Sequence, residues 1–293
     1  MSVAILRYEA PARVAQSPAT TLERSRGAAE IVFARRGGVT RLVHLMQRAP
    51  CRVLFPEAEA GDPKLAVLLT TSGGLTGGDE IRISATLRAG ATAMLTSQAA
   101  EKLYRSLGSD TEVTVTLAIE EGARLEYLPQ ETILFDGARL CRRTSAAVAP
   151  GGRLLACEML VFGRKAHDES FGRGRLYDSW QVKRGGRLAW ADALALDGDI
   201  AARLGDPFGF AGAEAMATAL YVGDDAESHL PVARALAESG ACRGGATLLG
   251  NVLLARFFGA PAQAVRADLA RYLAALRHAA FDHPARLPRV WHS

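Results

Sequence analysis

The residues best able to act as nucleophile, base or metal ligand are thinly spread along the chain. Six histidines stand at His44, His167, His229, His278, His283 and His292, and none has another at i+3 or i+4. Neither an H-E-x-x-H nor a G-x-S-x-G motif occurs, which excludes the helix-borne zinc protease and the nucleophile elbow. The four cysteines, Cys51, Cys141, Cys157 and Cys242, include no Cys-x-x-Cys pair and form neither a zinc knuckle nor a disulfide framework. That usage points to a reducing, cytoplasmic setting. Two acidic runs, Asp224-Asp225-x-Glu227-x-His229 and His167-Asp168-Glu169, combine oxygen with imidazole and could hold a divalent ion weakly, although such runs are usually solvated loops. The stretch LTTSGGLTGGDEI over residues 69–81 places four glycines within six residues, as a phosphate cradle does. Asp79 and Glu80 follow where a phosphate loop needs Lys and then Ser or Thr, so the loop is read as a strand connector.

More distinctive are polar residues gathered at strand ends. Gln98, Glu101, Lys102, Tyr104, Arg105 and Ser106 form one group, and Gln130, Glu131, Thr132, Asp136 and Arg139 form another. Gln98 and Gln130 each lie eight residues after a glycine, Gly90 and Gly122, while Glu158 and Asp192 lie seven after Gly151 and Gly185. If these units stack, the side chains align at similar heights. Such a column is either a hydrogen-bonded ladder inside the core or the lining of a wet passage or docking face, because buried polar groups need partners or water.

The elements that would position them are β-strands. Ile81, Ile83, Ala85 and Leu87 alternate with polar residues, as do Val113, Val115, Leu117 and Ile119, the period-two signature of half-buried strands. Each run ends in an X-Gly turn, at Gly90, Gly122, Gly151 and Gly185, a spacing near thirty residues. An X-Gly pair between alternating runs predicts a hairpin, and a quasi-period of this size predicts strand pairs stacked on one another. The expected fold is mainly β, with sheets stacked in a helical or solenoid-like pile and a few C-terminal helices; an irregular β-sandwich is the alternative. Pro261 opens a predicted helix carrying Val265, Leu269, Tyr272, Leu273 and Leu276 on one face, and a shorter helix is predicted over residues 230–238. Residues 281–293 are expected to be extended. Residues 1–28 read as a leader, partly disordered or extended, and residues 29–293 as one domain.

Bulk properties narrow the function. The chain has 293 residues, 49% of them hydrophobic, with no apolar run of membrane-spanning length and no signal-peptide pattern. Its net charge of +4 comes from scattered arginines, without the basic run or aromatic motif of a nucleic-acid binder. The residues alone leave open a polar passage or docking face and, on the repeat, a carbohydrate-active β-stack enzyme.

Several segments carry a resemblance. SGGLTGGDEIRI (72–83), LTSQAAEKLYRS (95–106), LPQETILFDGARLCRRT (128–144), LVFGRKA (160–166) and LPRVW (287–291) together resemble the urease accessory protein family UreD, called UreH in some organisms. The match runs in order over nearly the whole chain from Ile31, leaving the first twenty-five residues outside it. The resemblance implies a non-catalytic, mainly β scaffold for nickel loading. Its implied partners are the urease apoprotein, the helical accessory protein UreF and, through UreF, the GTPase UreG. It implies no stable cofactor, with Ni²⁺ as transient cargo routed through a water-filled passage, and no nucleic-acid or membrane partner. Candidate positions on that route are Asp79, Gln98, Gln130, Glu131 and Glu158; Asp79 could attract a passing Ni²⁺ or bond the amides of its own turn. Candidate partner-binding residues are Lys102, Tyr104, Arg105, Arg139, Arg289 and Trp291, with residues 281–291 docking on the chain's own β core or on the helical partner. Ser72 and the run His167-Asp168-Glu169 depart from the family pattern, so His167 and Asp168 inherit no role from it.

Overall fold

The structure is a computed structural model and describes residues 24–292. An antiparallel hairpin of β1 (Arg26–Arg36) and β2 (Val39–Arg48) turns at Gly37-Gly38 and is followed by β3 (Cys51–Leu54) and β4 (Lys64–Thr70). Three coils come next: β5 (Glu80–Leu87), β6 (Thr92–Ser97) and β7 (Glu101–Leu103); β8 (Thr111–Ile119), β9 (Arg124–Leu128) and β10 (Thr132–Leu134); β11 (Arg139–Val148), β12 (Arg153–Arg164) and β13 (Glu169–Ser170). Then β14 (Arg173–Arg184) and β15 (Arg187–Asp199) pair antiparallel and run into α1 (Ile200–Gly205). The chain finishes with β16 (Ala215–Val222), α2 (Leu230–Glu238), β17 (Arg243–Leu249), β18 (Val252–Gly259) and α3 (Ala262–Phe281).

Corresponding strands of successive coils pair in parallel, giving a β-solenoid of about four turns. One wall is a seven-stranded sheet in the order β15-β14-β11-β8-β5-β1-β2; the other follows β17-β18-β16-β12-β9-β6-β4-β3. The mainly β stack expected from the glycine spacing is therefore present, with one correction to its turns. Gly90, Gly122 and Gly151 are not hairpin turns: β5 and β6, β8 and β9, and β11 and β12 lie in opposite sheets, so these glycines are the corners of the coil. All three have φ between 67° and 72°, which glycine adopts without a Cβ penalty. The corners stack as the coils do, the Gly90 amide donating to the Glu121 carbonyl at 3.0 Å. Gly185 is a true hairpin, between β14 and β15.

Side chains facing inward from both sheets make one core, with rows such as Ala85, Leu117, Ala146 and Val182 in lateral register. A second apolar layer lies outside the β12–β16–β18 wall, where α3 and α2 pack. Val265, Leu269, Tyr272, Leu273 and Leu276 of α3 are buried there, as their helical spacing requires. The helix expected over residues 230–238 is α2. After α3, residues 282–292 run back along the same layer and end in a short 3-10 turn at Arg289–Trp291. The expected leader lies outside the described residues up to residue 23, and its last residues enter β1.

Candidate functional site

Residues 72–75 of the glycine loop form one wall of a 380 Å³ cavity between the two sheets. Ile81, Ile83, Val113 and Val115 give it an apolar side, and Gln98, Glu101, Gln130, Thr132 and Arg142 a polar end. The glycines are set by close approach: a Cβ on Gly74 would come within 2.7 Å of the Lys102 carbonyl oxygen, and one on Gly77 within 2.3 Å of the Ser109 carbonyl oxygen. Leu75 bridges to Leu103, its amide donating to Lys102 O and its carbonyl accepting from Tyr104 N, both at 2.8 Å. Asp79 locks this arrangement. Its Oδ1 accepts from Ser25 N and its Oδ2 from Thr76 N, each at 2.8 Å. Both carboxylate oxygens are thus engaged by amides, the turn-locking alternative, and Asp79 is not among the residues lining the cavity.

The polar column is split between two faces. In β12 the outward residues are Met159 and Val161, and Leu160 and Phe162 face the core. β9 and β12 pair with an offset of twenty-nine residues, Leu125 opposite Leu154, so Glu158 aligns with Pro129 and not with Gln130. A one-residue difference in a strand reverses the face. Glu158 accordingly points inward, where Trp180 Nε1 and Arg142 Nη2 donate to it, while Arg142 also makes a two-pronged ion pair with Asp178. One guanidinium there serves two carboxylates, and burial together with the neighbouring Asp178 pushes the Glu158 carboxyl well above the ordinary range. Asp192 leaves the column altogether, because its hairpin stays within the seven-stranded sheet; it pairs with Arg256 at the surface.

Gln130 instead reaches outward to the C-terminal strap. Its Nε2 donates to Ser97 O at 3.1 Å and to Val290 O at 2.8 Å, and its Oε1 accepts from Arg266 at 2.9 Å. Glu131 accepts from the same arginine at 3.0 Å. Trp291 is 2% exposed and donates from Nε1 to Thr96 Oγ1 at 3.0 Å, so the strap docks on the chain's own β core. Arg289 remains 89% exposed at its side chain, 3.4 Å from Glu59. Lys102, Tyr104 and Arg105 lie together on the surface beside β7, with Arg105 paired to Asp136; Arg139 is held by Asp110.

Glu101, named above only within the first polar group, also reaches the cavity. It accepts from Thr70 Oγ1 at 3.0 Å and from the Lys102 backbone amide, and burial raises its pKa. Its signal in the sequence was adjacency to Gln98; the three-residue strand that aims it is too short to show a period. Among the described residues no three His, Cys, Asp or Glu side chains converge as a metal cage. The Asp224-Asp225 run is occupied structurally, by Arg184 and the Gly151 amide and by Tyr221, Arg153 and His229. His167 and Asp168 are exposed in the turn before β13, and all four cysteines are free thiols. No described helix is long and apolar enough to cross a membrane.

A model of the UreD urease accessory protein family matches residues 25–292. The chain belongs to that family. It is 42% identical to the urease accessory protein UreD of Magnetococcus marinus over 90% of this chain and 93% of the relative. To UreD 1 of Methylobacterium radiotolerans it is 40% identical over 97% and 96% of the two chains, and to UreD of Xanthobacter autotrophicus 41% over 92% and 90%. The family's members are non-catalytic accessory proteins, so the carbohydrate-active enzyme reading falls away.

Proposed function

We propose that this chain is a scaffold in urease maturation, holding apo-urease on one side and a UreF–UreG complex on another while Ni²⁺ passes to the urease active site. The observation that carries the reading is the family match over residues 25–292, joined to a cavity between the sheets lined in part by polar side chains. Glu101, a carboxylate in the lining of that cavity, is the group best placed to meet a hydrated cation, and a lone carboxylate gives the weak binding that a transfer route requires. Gln98 shares the lining. Asp79, Glu131, Glu158 and Gln130 act on the route indirectly, by fixing the loop, α3, the Arg142 cluster and the strap. A cytoplasmic setting accords with the free thiols.

Co-expression with UreF, UreG and apo-urease followed by size-exclusion chromatography tests the scaffold. The chain is expected to co-elute with the helical accessory protein; a lone, well-behaved monomer in every fraction would reject the reading.

A further inference from the structure

Beside α3, a strip of the large sheet lies in an open groove. There β7, β10 and β12 pair in parallel, with Lys102, Ile133 and Val161 in one outward row. They floor a 570 Å³ groove walled on one side by the start of α3 and on the other by residues 164–167. Met159, Ile133 and Val161 make the floor apolar, and Tyr104 stacks edge-on against Phe135 at one end, their centroids 4.9 Å apart.

The charges of this groove are unbalanced. Its two carboxylates are engaged internally: Glu131 by Arg266, and Glu214 by the Ala262 amide at 3.3 Å. Lys102 and Lys165 form no ion pair among the described residues; the Lys165 ammonium donates only to Ser170 Oγ at 2.7 Å. Arg164 lies over the Phe135 ring at 4.0 Å and pairs with Glu169 beyond the groove. The first turn of α3, the positive end of its dipole, carries no acidic side chain.

The width selects a shape. Three adjacent strands span about 10 Å, which is one α-helix with its side chains. α3 itself lies across β12, β16 and β18, so the groove is the neighbouring helix position on the same sheet.

We propose that this groove receives one amphipathic helix of a partner protein, apolar toward Ile133 and Val161 and acidic along the edges that meet Lys102 and Lys165. The inference rests on the scaffold reading, since it supplies the partner-facing surface of that scaffold. It assigns a role to Lys102 and Tyr104 as contact residues and leaves Trp291 as an internal anchor.

The test uses the co-expressed complex with UreF and UreG. A carbodiimide that joins ammonium to carboxylate without a spacer, followed by mass spectrometry, is expected to link Lys102 or Lys165 to Asp or Glu on a helical partner segment. Ile133→Asp, and separately Lys102→Glu with Lys165→Glu, should lower recovery of the partner more than roughly tenfold, the scale of an interface hot spot. Ile133→Leu and the opposite-face control Arg143→Glu should retain it. Full recovery with both groove variants, or cross-links confined to other lysines, would overturn the groove while leaving the scaffold standing. Failure of the wild-type chain to recover any partner would overturn the scaffold reading and this surface with it.

Discussion

The two sheets of the solenoid share a core but meet different surroundings on their outer faces. On the seven-stranded sheet the outward row Arg82, Thr114, Arg143 and Ser179 is polar, and Arg82, Thr114 and Arg143 are exposed. Its strands therefore alternate, as β8 does from Thr111 to Ile119. On the larger sheet β6, β9 and β16 are buried on both faces, because α2, α3 and the C-terminal strap lie over them. Parallel sheets are normally covered on both sides. The chain's own helices cover one wall, while the other keeps a polar surface with exposed ion pairs such as Arg143–Glu112 and Arg82–Glu80.

The largest consequence concerns the strap that completes the covered wall. Arg277 is fully buried and binds Glu126 at 2.7 Å, Asp62 at 3.0 Å and the Pro284 carbonyl at 2.9 Å, with a further bond to the Arg286 carbonyl. Arg277→Ala would remove the guanidinium from Glu126, itself 1% exposed, and from Asp62, leaving Glu126 with the His283 imidazole as its side-chain partner, and is expected to cost about 3 kcal/mol in urea unfolding. A loss below about 1 kcal/mol, the ordinary surface-pair value, would show that the strap is not the cover described here.

An intermediate effect sits between the walls. Glu158 is raised in the folded chain, so folding favours its protonated form. Its contribution to stability is complete below the unfolded carboxyl value of about 4.3 and is lost as pH rises through the higher folded value. Glu158→Gln keeps an acceptor for Trp180 and should flatten that decline, leaving the variant more stable than wild type at alkaline pH. The difference is about 1.4 kcal/mol for each tenfold by which the fold tightens proton binding. Parallel stability–pH curves for the two proteins would contradict the buried, under-compensated pair.

The smallest effect belongs to the bare wall. Thr116 is exposed on β8, and Thr116→Val is expected to change stability by less than about 0.5 kcal/mol while leaving the fold intact. A larger destabilisation would mean that the outer hydroxyl is structurally engaged.

This contrast also explains what was legible in the sequence. The alternation of Ile81 to Leu87 and of Val113 to Ile119 located two strands of the bare wall nearly to the residue, and the helical spacing of Val265 to Leu276 located α3. The thirty-residue glycine spacing announced stacking. It could not say which strand lies beside which, since a corner and a hairpin both need a positive-φ glycine between two extended runs. Pairing is decided by the offset that buries most apolar surface, a property of the whole coil. The same limit hid the split column: Gln130 and Glu158 differ by one residue in register, and only the β9–β12 ladder reveals it. Short elements, β7, β10 and α1, lack the length for a periodic signal, so the aiming of Glu101 and the floor of the groove were invisible.

The central claim, a scaffold with a transfer route through its interior, is tested most directly by filling the cavity. Val113 lines it from the bare wall's strand β8, and Val113→Phe would occupy part of its 380 Å³ without touching either outer face. Urease activation would be measured alongside recovery of the assembled complex. The account predicts normal assembly with most of the activation lost; full activation by a complex that carries the filled cavity would contradict it.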